Sequence, residues 1–331
     1  MNEKVYASLK SAETEDWVDY HIVRPFTYYW AVFFAKLGIH PNTVTIASMF
    51  IGAGSTWFFA HGSFYYEGMW GVICNLIALL MLFVADILDN TDGQLARMTG
   101  KKSPLGRILD GAAGFVWYFP IYVGLVYRFY IHHSLEFGWL GLDDTQPYVL
   151  PVATGIVLVL AVVAGVWGLA RPQRIADYYI QTHLFFLKGE KGAELDNSKA
   201  QEEKYERLTW KDNFIEKLFQ KNYVDYTKNQ EQLTPQFQRM MSLLRQKYGA
   251  TENFPQSVRD EFHCNSKSLL KYVFMLVFNF RTAYLILFCL LDLPAEMFVF
   301  EIIVMLFLSW YVVHRHEAFC KKIAEGVMSE K

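Results

Sequence analysis

The sequence predicts an all-α integral membrane protein: a six-transmembrane-helix bundle with an N-terminal interfacial helix and a helical cytoplasmic insertion. Three observations carry this reading. Of 331 residues, 53% are hydrophobic and 17% aromatic but only 19% charged, a balance well to the apolar side of an ordinary soluble domain. The apolar residues gather in runs at about 43–61, 67–88, 109–130, 147–170, 268–291 and 295–313, each close to the roughly 20 residues that cross a bilayer as helix. The Lys and Arg residues near the ends of these runs fall on alternate connections, as the positive-inside rule requires.

Taken in order, Met1 to Asp19 is polar and lacks an apolar core before a small-residue cleavage site, so the first crossing is expected to serve as the insertion signal. Arg24 to Leu37 is aromatic and apolar, stops at Gly38 and restarts after Pro41, the pattern of one helix ending and another beginning. Its Tyr28, Tyr29 and Trp30 suit the headgroup layer. Residues 1–42 therefore read as an N-terminal cytoplasmic segment and interfacial helix. Residues 43–171 carry crossings one to four, 172–267 a cytoplasmic insertion, and 268–331 crossings five and six with a cytoplasmic tail. Asn42, Thr43 and Thr45 read first as an N-cap and second as contacts to a nucleotide at the positive helix end.

Arg97, Lys101, Lys102 and Arg107 follow the second crossing, Arg171 and Arg174 the fourth, and Lys321 and Lys322 the sixth. The opposite connections, His61 to Glu67, His132 to Gln146 and Asp292 to Pro294, hold no Lys or Arg, although Arg128 sits just inside the third crossing. Both termini are expected on the cytoplasmic side.

The insertion turns charged and amide-rich, with helical stretches at Glu202 to Leu218 and Thr234 to Lys247. Trp210, Phe214, Phe219, Tyr223 and Tyr226 are spaced as one buried helical stripe. Cys74, Cys264, Cys289 and Cys320 show no CxxC pairing and read as buried thiols. A net charge of -2 gives no global pull toward nucleic acid.

The informative stretch lies where the second crossing ends. Asp86, Asp89 and Asp92 follow one another at three-residue intervals, so successive carboxylates stand on one helix face. Asp110 opens the next crossing and faces them if the two helices pack side by side. An ionised Asp in a transmembrane segment costs about 2.5–3.5 kcal/mol at mid-bilayer and requires a compensating cation. Oxygen-only ligands select Mg²⁺ or Mn²⁺ over zinc, and the cluster describes a metal site able to bind a diphosphate. Gly93 and Ala96 leave one face bare, so that a phosphate-bearing ligand can approach the backbone, and Arg97 can pair with phosphate bidentately. Read singly, these residues fit a helix-packing seam and a topology marker equally well; three carboxylates within seven residues decide for a site.

At these positions the chain resembles the CDP-alcohol phosphotransferase (CDP-alcohol phosphatidyltransferase) family, whose signature is D-x-x-D-G-x-x-A-R, eight residues, then G-x-x-x-D-x-x-x-D. Asp89, Asp92, Gly93, Ala96, Arg97, Gly106 and Asp110 match with the right spacing over 22 residues. The likeness extends to the six expected helices and to Pro41-Asn-Thr-Val-Thr45, but not to 172–267. It implies a homodimer with a cavity open to the cytoplasm, in which Asp89, Asp92 and Asp110 hold two Mg²⁺ or Mn²⁺ ions against the donor diphosphate. Gly93, Ala96, Arg97 and Gly106 would line the nucleotide. The implied reaction belongs to phospholipid biosynthesis: a CDP-linked donor passes its phosphoalcohol to a lipid or polar alcohol acceptor among membrane lipids and releases CMP. CDP-diacylglycerol is the favoured donor.

One position departs from the signature. Gly114 stands where the family has its last aspartate, the implied general base, and a missing base lowers rates by about 10²–10⁴. Asp86 is the first candidate to take its place, and the small Gly114 makes room for the acceptor. Arg281, halfway along the fifth crossing, either holds an anionic substrate group or pairs with a nearby carboxylate. His314-Arg315-His316 reads as interfacial anchoring, because histidines two apart point in different directions. Besides the transferase, a catalytically weak or inactive nucleotide- or partner-binding relative and a transporter are consistent with intramembrane carboxylates; a transporter would show two halves with broken helices, and only one polar cluster is visible.

Overall fold

A computed structural model describes residues 11–101, 104–143, 145–193, 195–211 and 213–329, and the regular structure among them is helical. The side chains of residues 104, 105, 107, 108, 110, 191 and 215 fall outside that description. Met1 to Lys10, Lys102 and the side chains of Arg107 and Asp110, all invoked above, therefore lie outside the described residues. The chain divides into two compact units, Met1–Ala170 with Phe278–Met305, and Arg171–Val277 with Leu306–Lys331.

In the first unit, α1 (Arg24–Lys36) continues a π-helical turn, Asp19–Val23. It buries Thr27 and Ala31 and leaves Phe26, Tyr29, Trp30 and Phe33 exposed. The inner face packs on α3 (Met69–Thr99), with Ala31, Val44 and Leu95 as a small core beneath the end of α3. Helix α2 (Pro41–Ala60) is capped by His40, whose Nδ1 accepts from Asn42 N at 3.2 Å. The expected cap at Asn42, Thr43 and Thr45 is thus corrected: Pro41 takes the first helical position, where a missing N–H costs nothing.

The buried face of α2 carries Val44, Ser48, Gly52, Ser55 and Phe59. Its small residues let α3 and α4 (Pro104–Ile131) approach closely, as interfaces between apolar helices demand. A Cβ at Gly52 would overlap the Trp117 indole of α4. The Ser48 and Ser55 hydroxyls donate to carbonyls within α2, at 2.7 and 2.6 Å, so neither hydroxyl is left unpaired.

Helix α3 is longer than its apolar run, extending through the acidic stretch to Thr99 and closing at Gly100 in the left-handed conformation, φ 70°. Helix α5 (Val149–Val163) passes through a π segment, Ala164–Ala170, into α6 (Arg171–Lys188) of the second unit. The expected fifth crossing is broken: α10 (Gln256–Val273) ends in a 3-10 turn, Val277 is extended, and α11 (Phe278–Leu290) starts afresh. Nothing in the unbroken apolar run announces that break. Helix α12 (Pro294–Ser329) runs well past the expected 313.

Five helical stretches are long and apolar enough to cross a membrane: Pro41–Ala60, Met69–Thr99, Val149–Lys188, Gln256–Leu290 and Pro294–Ser329. The remaining expected crossing, 109–130, is α4, in which some side chains near the start fall outside the description.

The second unit holds α7 (Ser198–Arg207), α8 (Phe214–Leu233) and α9 (Pro235–Tyr248) beside α6, α10 and the far part of α12. The helix expected over Glu202 to Leu218 is divided: α7 ends at Arg207 and α8 begins at Phe214. The aromatic stripe is also corrected: Trp210, Phe214 and Phe219 are exposed, and α8 turns Val224, Thr227 and Gln230 inward instead. Cys264 is exposed rather than buried. His316 is buried and stacks on Tyr179 with centroids 4.2 Å apart, so it packs the core of this unit rather than anchoring at an interface.

Candidate active site

The last turns of α3 present a graded polar face. Asp86 and Asp92 are buried, Asp89, Gly93 and Ala96 are half-buried, and Arg97 is exposed. Thr45 of α2 donates its hydroxyl to Asp92 Oδ2 while also reaching Pro41 O at 3.2 Å. The residue expected to cap α2 thus orients a carboxylate on the neighbouring helix. Gln94 donates to Thr27 Oγ1 at 2.9 Å, tying α1 to α3 directly behind the acidic face.

Asp86 is held on one side only. Asn90 Nδ2 donates to its Oδ1 at 3.1 Å and to its carbonyl at 3.0 Å, while the buried Oδ2 has no hydrogen-bond partner among the described residues. A buried carboxylate oxygen left unsatisfied is costly and marks a place for an ion, a proton or a donor. With Asp89 and Asp92 on the same face, the donors are all hard oxygens. In donor type they suit Mg²⁺ or Mn²⁺ and give zinc nothing it prefers, although these three carboxylates are not gathered around one point among the described residues.

Around this face the fold adds residues that the sequence reading did not single out. Asn279, in the first turn of α11, donates to Asp16 Oδ2 at 2.7 Å and Asp19 Oδ1 at 3.0 Å. Asp19 N donates to Asp16 Oδ1 at 2.8 Å, and Arg24 pairs with Glu15 at 2.9 Å. Asp19, Arg24 and Asp16 are the charges that act most strongly on Asp86, and Arg97 acts on Glu15. Burial, and then the neighbouring Asp16, push the Asp19 carboxyl up to about 6; burial also raises Glu15 against the pull of Arg24. Glu15, Asp16 and Asp19 stand just ahead of an aromatic helix, and the interval of three from Asp16 to Asp19 repeats that of Asp86, Asp89 and Asp92. That repeat was the available signal.

The other expected residues are placed as follows. The Arg97 guanidinium lies over Gly93, with Nη1 3.4 Å from where a Cβ would stand. Gly106 is in the first turn of α4 and Gly114, half-buried, is one turn beyond Asp110. Arg281 is engaged elsewhere: it pairs with Glu301 at 3.3 Å and donates to Gly168 O at 3.0 Å. Tyr122 donates to the second Glu301 oxygen at 2.5 Å.

Comparison with known proteins bears on this segment. Residues 38–164 match the family described as CDP-alcohol phosphatidyltransferase. An archaetidylinositol phosphate synthase from Aeropyrum pernix is 32% identical over 82 residues, which is 25% of this chain and 37% of that protein. The chain thus spans little more than a third of the length of this relative. No solved structure matches.

Proposed function

We propose, on the match of residues 38–164 to the CDP-alcohol phosphatidyltransferase family, that the protein transfers a phosphatidyl group from CDP-diacylglycerol to an acceptor hydroxyl, releasing CMP. The observation that carries this reading is the oxygen-only face of Asp86, Asp89 and Asp92, with Asp92 oriented by Thr45 and one oxygen of Asp86 unsatisfied. The Aeropyrum relative is named for an inositol phosphate lipid, which makes inositol phosphate the first acceptor to assay.

Asp89, Asp92 and Asp110 would hold two Mg²⁺ or Mn²⁺ ions. When bound, the ions neutralise the diphosphate and stabilise CMP as the leaving group. Gly93 and Ala96 keep the nucleotide side of α3 open, Gly106 does so at the start of α4, and Arg97 reaches a phosphate oxygen. The acceptor oxygen forms a bond to the β-phosphorus in line with the breaking bond to CMP, and its proton passes to a carboxylate. Asp86 fills that role in place of the aspartate absent at Gly114, with Asp19 beside it as part of the same acidic wall.

The protein is assigned six crossings, α4 being the sixth, both termini and the site on the cytoplasmic side, and a homodimeric state. A cysteine replacing the exposed Tyr65 is labelled only from the outer side, whereas one replacing Lys199 is labelled from the cytoplasm. The reverse pattern overturns the orientation.

Purified protein incubated with Mg²⁺, CDP-diacylglycerol and inositol phosphate is expected to release CMP and form lipid product. Absence of CMP release across a panel of donors and acceptors refutes the transferase. Gly114 itself supports a second reading, a nucleotide-binding relative with weak chemistry. If Gly114→Asp raises transfer strongly with metal dependence retained, the natural protein is limited by its missing base. Loss of activity is expected instead, because the added carboxylate fills the space and repels an anionic acceptor.

A further inference from the structure

A groove of about 240 Å³ opens in the second unit between α10 and α12, remote in sequence from the family segment. Its wall carries two cations, Arg315 and Lys322, and no carboxylate. Arg315 forms no ion pair among the described residues, and Lys322 meets only Glu261, at 3.9 Å with both side chains exposed, a pairing worth little in water. Ser268 and Asn265 add polar groups on the α10 side. Across the groove the Tyr272 and Tyr311 rings meet edge to face with centroids 4.9 Å apart. Two positive charges, hydroxyls and an amide around one concavity are the donor set of a phosphate site.

The position of the groove along α12 says which kind of phosphate. The turns of α12 just before it expose Phe307 and Trp310, each 61% accessible, on a helix apolar enough to cross a membrane. Tyr311 and Arg315 follow within one and a half turns. An exposed apolar stripe that gives way to aromatic rings and then to cations is the profile of a helix leaving the hydrocarbon for the headgroup layer. Basic pockets between helices at that level bind anionic lipid headgroups. Leu269 and Phe319 line the same concavity and suit the glycerol and first methylenes of a lipid.

We propose that this groove binds an anionic phospholipid, with Arg315 and Lys322 holding its phosphate and its acyl chains lying along Phe307 and Trp310. The site is independent of the transferase reading and makes this face of the second unit a lipid-binding surface.

The test is native mass spectrometry of the full-length protein released from detergent, titrated with phosphatidylglycerol, with phosphatidylcholine of the same acyl chains, and with inorganic phosphate. Wild type is expected to retain phosphatidylglycerol in preference to phosphatidylcholine and to leave inorganic phosphate unbound. Arg315→Gln with Lys322→Gln should weaken phosphatidylglycerol retention by at least about tenfold and leave phosphatidylcholine retention unchanged. Lys321→Gln, which removes an exposed cation outside the groove, should retain the lipid as wild type does. Unchanged retention in the double variant, equal loss in Lys321→Gln, or equally tight binding of inorganic phosphate overturns the proposal. Circular dichroism of each variant confirms the fold, and single variants at Arg315 and Lys322 replace the double one if it fails to fold.

Discussion

Two aspartates of the first unit are buried to nearly the same depth, Asp292 at 7% exposure and Asp86 at 6%, and are treated oppositely. Both oxygens of Asp292 are taken: Arg128 donates to Oδ1 at 2.6 Å, and Ser63 Oγ and Tyr65 N donate to Oδ2 at 2.6 and 3.0 Å. Arg128 in turn reaches the carbonyls of Phe59, Gly62 and Cys289 and the side chain of Asn75. At Asp86 one oxygen is unsatisfied and other carboxylates crowd nearby. A buried carboxylate with both oxygens met ties helices together; one with an oxygen open is held ready for something else.

That contrast breaks most sharply at Asp92. Asp92→Asn is expected to lower CMP release at least about a thousandfold, the several kcal/mol that metal-assisted charge stabilisation supplies, while circular dichroism and thermal unfolding stay near wild type. Near-normal turnover would remove Asp92 from the chemistry. At the other cluster the outcome reverses. Arg128→Met leaves Asp292 buried and uncompensated and should cost about 3–5 kcal/mol of stability, read as a lower unfolding temperature in detergent with activity lost only as the fold is lost.

Smaller effects sharpen the comparison. Thr45→Val removes the hydroxyl that orients Asp92 and is expected to reduce turnover on the order of tenfold with unchanged thermal stability. Asp19 tests the acidic wall through pH. Its folded value, about 6, lies above the ordinary 3.8, so its contribution to stability is fully present below 3.8 and is lost as pH rises through about 6. Asp19→Asn should therefore gain stability over wild type across that window and hold a constant advantage above it, as thermal unfolding at a series of pH values would measure. An advantage independent of pH would mean that Asp19 ionises normally. The smallest change is Gly93→Ala. Its Cβ makes only ordinary contact with Arg97, so helix stability is unchanged or rises by up to about 1 kcal/mol, while CDP affinity in a calorimetric titration falls because the backbone face is covered.

The sequence by itself determined whatever depends on neighbours along the chain. The interval of three between Asp86, Asp89 and Asp92 puts them on one face of any helix, and their place at the end of an apolar run follows from the same local periodicity. Arg24 to Leu37 was legible as a helix stopping before Pro41 for a similar reason: the stop and restart signals act within one turn. The tertiary structure alone decided what came from afar. Thr45 and Asp92 are 47 residues apart, Asn279 and Asp16 263, and Arg128 and Asp292 164. The apolar run over 268–291 carries no local breaker at Val277, so the break and the placing of Asn279 beside Asp16 could not be read from it. A stray cation such as Arg128 looks like an exception to the charge rule until the carbonyls and the carboxylate that neutralise it are brought around it. Pattern along a chain fixes which way a side chain faces; only packing fixes what it meets, because each partner must be desolvated and satisfied at the same moment.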